Sequence, residues 1–121
     1  MKLRDDLKRM YRQVMELRKN IQIASGAYEK ELDGRRGIYI TDHAIRRYLE
    51  RVKGFELNDE LTDEEYIRQL VVPPEVIRDE MLTIEEDRKI LRGQRSLFHR
   101  GEHIYIIKEL AIVTVLHKIK N

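Results

Sequence analysis

Apolar and small residues recur along the first 31 residues at spacings that alternate between four and three. They are Leu3, Leu7, Met10, Val14, Leu17, Ile21, Ala24 and Tyr28. A repeat of about 3.5 residues is typical of the seam of a coiled coil. The pattern therefore predicts one helix over residues 3–31, with a dimer seam formed by Leu7, Met10, Val14, Leu17 and Ile21. The alternative is a long helix that packs against its own domain.

Local signals predict four shorter helices in the middle of the chain. Thr41 or Asp42 caps a helix that runs to about residue 53. A capping box of Thr62 and Glu65 starts a short helix that ends near residue 70. Pro74 suits the first turn of a third helix, to about residue 82, and a fourth covers residues 84–91.

The last quarter of the chain changes to an alternating, β-branched pattern. Residues 95–99, 103–107 and 111–117 predict three strands joined by tight links. Residues 38–40 are either an edge strand or a hydrophobic contact for the next helix. The fold class is thus α+β: a long N-terminal helix, several short helices and a C-terminal three- to four-stranded antiparallel sheet covered on one face. We expect a helix at 1–32 and a small domain at 33–121.

Composition narrows the class of protein. The 121 residues include no cysteine, which excludes disulfides, zinc–thiolate sites and thiol nucleophiles. The chain has no apolar run near the ~18 residues of a membrane span, and its N-terminus is charged. We therefore expect a soluble, cytoplasmic protein that does not enter membranes.

Charge is uneven along the chain. Lys and Arg outnumber Asp and Glu by 14 to 8 in residues 1–53 and by 5 to 2 in residues 95–121, whereas residues 54–94 hold 5 against 12. Such a chain can bind its own middle, a second copy or a polyanion. Ordinary mixed surface charge is the alternative.

The segment 41–53 carries the clearest candidate chemistry. On a helix, His43, Arg47 and Arg51 lie at i, i+4 and i+8, on one side. Arginine forks bind phosphate oxygens, and histidine exchanges a proton near pH 7. This set suits a phosphodiester. The alternative is a solvated helix face with His43 as a capping or core residue.

Further candidates lie on the predicted strands. Arg95 and His99 are four apart, so they share a face, whereas Thr114 and His117 are three apart and point to opposite faces. The histidines form no HExxH metal motif, and the chain has no glycine-rich phosphate loop. We expect neither a metal nor another cofactor.

The string HAIRRYLER at residues 43–51, together with IVTVL at 112–116, resembles a group of small phage and prophage proteins of unassigned function. More distantly, the chain is similar to RelE-type toxin ribonucleases. That resemblance implies helices packed on an antiparallel sheet and metal-independent RNA cleavage, with the 2′-hydroxyl as nucleophile. By position it implies roles for His43, Arg47, Arg51 and Thr114, and more loosely for Arg95 and His99.

These patterns lead to three hypotheses. The first is a dimeric RNA-cleaving or RNA-binding protein, with His43, His99, Arg95 and Thr114 as catalytic residues and Arg46, Arg47, Arg51 and Lys53 as nucleic-acid ligands. The second is a non-catalytic phage accessory or inhibitor protein that docks on a host or phage protein through its N-terminal helix. The third is nucleic-acid binding without cleavage.

Overall fold

The computed structural model describes residues 2–118, with side chains from residue 4 onward. The chain forms two compact units, Met1–Arg35 and Arg36–Asn121. The first unit contains helix α1 (Lys2–Ser25) and helix α2 (Ala27–Leu32). Gly26, with a φ of 78°, separates them, because its left-handed backbone cannot continue an α-helix. The single helix expected over residues 3–31 is therefore two helices.

The predicted seam lies on α1 and is exposed over its described length. Its members are between 50% and 62% exposed, and they are Leu7, Met10, Val14, Leu17 and Ile21. The side chain of Leu3, the first position of the repeat, lies outside the described residues. Tyr28 belongs to α2 and so follows the interruption at Gly26.

The second unit begins its helical part as the capping signals predict. Thr41 accepts a hydrogen bond from the backbone of Ala44 and starts α3 (Asp42–Arg51). Thr62 caps α4 (Asp63–Arg68). Proline occupies the first position of α5 (Pro74–Met81), and a capping box at Thr83 starts α6 (Ile84–Gly93).

Four strands form one mixed sheet in the order β1-β4-β3-β2. They are β1 (Tyr39–Ile40), β2 (Leu97–Arg100), β3 (His103–Lys108) and β4 (Ala111–His117). The last three form the expected antiparallel meander. Strand β1 pairs with β4 in parallel, so the expectation of a wholly antiparallel sheet is wrong at this edge. The long helical connection between β1 and the meander permits that direction, which a tight hairpin would not.

One face of the sheet, which we call the helix-covered face, contributes the core. Tyr105, Ile107, Ile112 and Val115 are buried there. The Tyr105 hydroxyl donates to the Met81 carbonyl of α5 over 2.6 Å, which ties this face to the helices.

The other face of the sheet, which we call the open face, is partly exposed. Cross-strand pairing puts His99 with Ile104, and Leu97 with Ile106, on this face. Leu97 is 47% exposed and Leu116 is 41% exposed. Helices of the second unit therefore form a second layer on one side of the sheet.

A β-bulge in β4 decides which of its residues join each face. Lys108 pairs with Ala111 and Ile107 with Ile112, but Ile106 pairs with Thr114, so one extra residue lies in β4. Beyond the bulge, Thr114 and Leu116 share the open face, and Val115 and His117 share the helix-covered face. No helix within residues 2–118 has the length and apolar character needed to cross a membrane.

Candidate functional site

The largest concentration of perturbed ionisable groups lies where α3 and α5 end above the start of β3. We call this cluster the polar corner. Six of the seven described groups with a clearly shifted pKa belong to it: Tyr48, Lys53, Glu80, Arg100, His103 and Tyr105. Strongly perturbed ionisable groups gather at functional sites more than elsewhere, although structural ion-pair networks produce them too. The polar corner is thus the strongest candidate for a functional site in the described part of the chain.

Glu80 links two residues of the α3 region. Its carboxylate forms an ion pair with the Lys53 ammonium and a hydrogen bond with the Tyr48 hydroxyl. The bond from Lys53 lowers the pKa of Glu80, and the same bond raises the pKa of Lys53. Burial, followed by the charge of Glu80, raises the pKa of Tyr48. Near neutral pH this part of the corner therefore holds one carboxylate, one ammonium and one neutral phenol.

His103 is half-buried and lies near two aromatic rings. Its ring centroid lies 5.9 Å from that of Tyr48 and 5.2 Å from that of Tyr105. Burial, followed by the positive charge of Arg100, lowers the pKa of His103. Its imidazole is consequently neutral at pH 7 and can accept a proton.

Arg100, the cross-strand partner of His103, is held by hydrogen bonds and an ion pair. Its Nη1 donates to the Met81 carbonyl at 2.5 Å and to the Tyr105 hydroxyl at 3.0 Å, and its Nε lies 3.0 Å from Glu86 Oε2. Burial opposes its charge, but the contacts with Tyr105 and Glu86 raise its pKa. Burial also raises the pKa of the Tyr105 phenol, which stays neutral. Arg100 therefore positions neighbouring groups within the corner.

A second histidine lies directly opposite the first. His117 of β4 is the cross-strand partner of His103, and both side chains project from the helix-covered face. The Lys118 N–H donates to the Glu102 carbonyl at 2.9 Å, which makes the neighbouring 103–117 pair a non-hydrogen-bonded one. In such pairs the Cα atoms are about 4.5 Å apart and the side chains lie close together. His117 is exposed, so the pair combines a half-buried imidazole with an accessible one.

The structure does not bring the sequence-predicted catalytic residues together. His43 lies in the first turn of α3, where its Nδ1 is 3.0 Å from Asp63 Oδ2. His99 and Thr114 lie on the open face, on the other side of the sheet from the helices. Arg95 lies before β2 and is exposed. A single cleft containing both His43 and His99 is therefore absent from the described part of the chain.

The sequence-predicted nucleic-acid ligands are engaged within the fold. Arg46 is buried and donates to the Leu61 carbonyl at 2.7 Å, to the Asn58 carbonyl, and to Asp63 at 3.3 Å. Arg47 donates to Glu50 at 3.0 Å.

The other two predicted ligands are also engaged. Arg51 donates to the Val115 carbonyl at 2.5 Å, and Lys53 pairs with Glu80. These contacts tie α3 to its surroundings and leave less of each cation for a phosphate.

No group of three or more histidine or acidic side chains suited to a metal ion occurs among the described residues. The sequence did not predict the His103–His117 pair, because no motif joins these two residues. Counting residues from the turn between β3 and β4 does not find this pair, because β4 contains a bulge. A hairpin without a bulge would have paired His103 with Leu116 instead.

We compared the chain with models of known families, with curated proteins and with solved structures, and none of them matches it. The resemblance to small phage proteins and to RelE-type ribonucleases thus stays a prediction.

Proposed function

We propose that the second unit cleaves RNA without a metal ion, by acid–base catalysis at the His103–His117 pair. The single observation that carries the proposal is the cross-strand pairing of these two histidines on the helix-covered face. The reaction class is the one that the sequence favours, but the catalytic residues differ from those first expected.

The two imidazoles suit complementary roles. His103 has a lowered pKa and is neutral at pH 7, so it accepts the proton of the ribose 2′-hydroxyl. The resulting 2′-oxygen attacks phosphorus, the bond to the 5′-oxygen breaks, and a 2′,3′-cyclic phosphate forms. His117 donates a proton to the leaving 5′-oxygen. Because the substrate supplies the nucleophile, the site needs no serine, cysteine or metal-bound water.

Supporting groups lie next to the pair. Lys118 follows His117 and is exposed, so its ammonium is available to a phosphate oxygen. The Tyr48 and Tyr105 rings both lie near the His103 ring, which limits its rotation. A fixed base in a partly desolvated setting contributes more to catalysis than a mobile one.

The test is cleavage of a fluorescent single-stranded RNA in the presence of EDTA. One positioned acid–base group contributes about 10²–10⁴-fold, so His103→Ala and His117→Ala should each lower the rate by that order. His99→Ala is the matched control, because His99 is on the open face of the same sheet. A DNA strand of the same sequence should stay intact. Equal rates in all three variants, or cleavage of the DNA, would refute the proposal.

A non-catalytic docking protein is the second candidate, and the exposed seam on α1 favours it. In that case the unmodified protein leaves RNA intact, and its biological role depends on the seam. Salt-dependent retention of uncut RNA would instead indicate nucleic-acid binding without cleavage.

A further inference from the structure

Helix α1 presents an uncovered apolar stripe on a described stretch from Leu7 to Ile21. The five seam residues are 60%, 59%, 50%, 62% and 62% exposed, in chain order. At a rise of about 1.5 Å per residue, the stripe is roughly 21 Å long. Soluble proteins rarely leave a continuous apolar patch of this kind in water unless it is an interaction surface.

The residue types along the stripe favour a two-stranded parallel partner. With Leu7, Val14 and Ile21 at the a positions, Met10 and Leu17 occupy the d positions. β-branched residues at a together with leucine at d select parallel dimers over trimers and tetramers. Two of the three a positions are β-branched, and Leu17 lies between them at d.

The flanking residues distinguish the two helix directions. Arg4 and Arg18 lie at e positions, whereas Asp6 and Gln13 lie at g positions. In a parallel pair, each g position faces the e position of the other helix, so Gln13 meets Arg18 and like charges stay apart. In an antiparallel pair, e positions face each other and the arginines approach. Charge therefore favours the parallel direction.

We infer that the seam on α1 is covered by the same seam of a second copy of this chain, in a parallel two-stranded coiled coil that is tightest from Leu7 to Ile21. This interface lies on the first unit and needs nothing from the His103–His117 pair. The two proposals can therefore fail separately. A two-fold axis along the coil makes the contact self-complementary and limits the assembly to two copies.

Light scattering on the unmodified full-length protein is the first test. The expected mass is twice 14.6 kDa. Val14→Asp with Leu17→Asp introduces four carboxylates into the centre of the dimer and should return the mass to that of one chain. Lys8→Asp with Arg12→Asp is the matched control, because these exposed residues lie at b and f positions, away from the seam. The control should remain dimeric.

Disulfide trapping tests the direction without disturbing the helix. The chain has no cysteine, so single substitutions report one position each. A disulfide requires Cα atoms within about 7 Å of each other. The same a position on the two helices meets this limit along the whole of a parallel pair, but only at the two-fold axis of an antiparallel pair. Leu7→Cys and Ile21→Cys, each alone, should form a linked dimer under mild oxidation, whereas Arg12→Cys should not.

Three different results would contradict the parallel dimer. Linkage only in a mixture of Leu7→Cys and Leu17→Cys protein would show an antiparallel pair, because a positions then face d positions. A dimer that neither cysteine can trap would use another surface. A 14.6 kDa particle would mean that the seam serves a different protein or its own chain.

Discussion

Replacing Arg46 by methionine distinguishes a structural role for this residue from a role in nucleic-acid binding. The Arg46 side chain is 7% exposed, and the adjacent Glu50 side chain is fully buried, with Oε1 3.7 Å from Arg46 Nε. Removing one member of a buried ion pair costs about 3–5 kcal/mol, because the other charge stays buried without compensation. Arg47 still contacts Glu50 at 3.0 Å in the variant. We therefore expect a loss near the lower end, about 3 kcal/mol.

Urea unfolding, monitored by near-UV circular dichroism, measures this loss in the free energy of unfolding. Methionine keeps much of the apolar contact with the Tyr66 ring, which lies 4.9 Å from the Arg46 guanidinium carbon. Most of the effect then comes from charge and hydrogen bonding. Arg68→Met is the control, since the Arg68–Glu64 pair is exposed and worth less than about 1 kcal/mol. Arg46→Met combined with Glu50→Leu removes both charges and should recover part of the loss.

The structural account of Arg46 fails if Arg46→Met unfolds within about 1 kcal/mol of the unmodified protein. It also fails if the double variant is less stable than the single one. Weaker retention of RNA by a fully stable Arg46→Met protein would instead support the role in nucleic-acid binding that the sequence predicts.

Three further outcomes follow from single residues. Because the pKa of His103 is lowered in the folded protein, the unfolded chain takes up a proton at a higher pH than the folded one. The free energy of unfolding should therefore fall as the pH drops below about 6.5. His103→Phe should reduce that pH dependence. Arg51→Met leaves the Val115 carbonyl without its donor at 2.5 Å and should cost about 1–3 kcal/mol in urea unfolding. Asp87→Ala removes the acceptor of two backbone N–H groups before β1 and should lower the melting temperature more than Glu85→Ala, an exposed control on the same helix.

Local signals predicted most of the fold because each acts within a few residues. Thr41 and Thr62 cap helices, Pro74 starts one, and the alternating pattern after residue 95 gives the meander. The direction of β1 depends on which strand it joins, and β4 is about 70 residues away in the chain. No local pattern encodes that pairing, so the parallel edge was missed.

The candidate site was harder to predict because a bulge sets its geometry. Period-two alternation correctly put Thr114 and His117 on opposite faces. Whether His117 shares a face with His103 depends on the count of residues between the hairpin turn and each histidine. The extra residue in β4 changes that count by one.

Helical spacing carried no information about the partners of the basic residues in α3 and just after it. Asp63, Val115 and Glu80, which bind them, come from three other elements.

The β3–β4 turn stores strain that can be removed without touching either histidine. Glu109 and Leu110 have φ values of 51° and 60°, a pair of left-handed residues that two-residue hairpin turns need and that Asn-Gly adopts readily. The left-handed conformation costs a residue with a side chain roughly 1–2 kcal/mol.

Glu109→Asn with Leu110→Gly should therefore raise the free energy of unfolding by about 1 kcal/mol, after the loss of some apolar contact from Leu110. Gly101→Ala is the reciprocal control, because its φ is 60° and an added Cβ meets no atom within 4 Å, so it should lose stability through the backbone alone. A variant with Asn-Gly that is less stable than the unmodified chain would contradict this prediction. Packing of the Leu110 side chain would then stabilise the turn by more than the left-handed backbone costs.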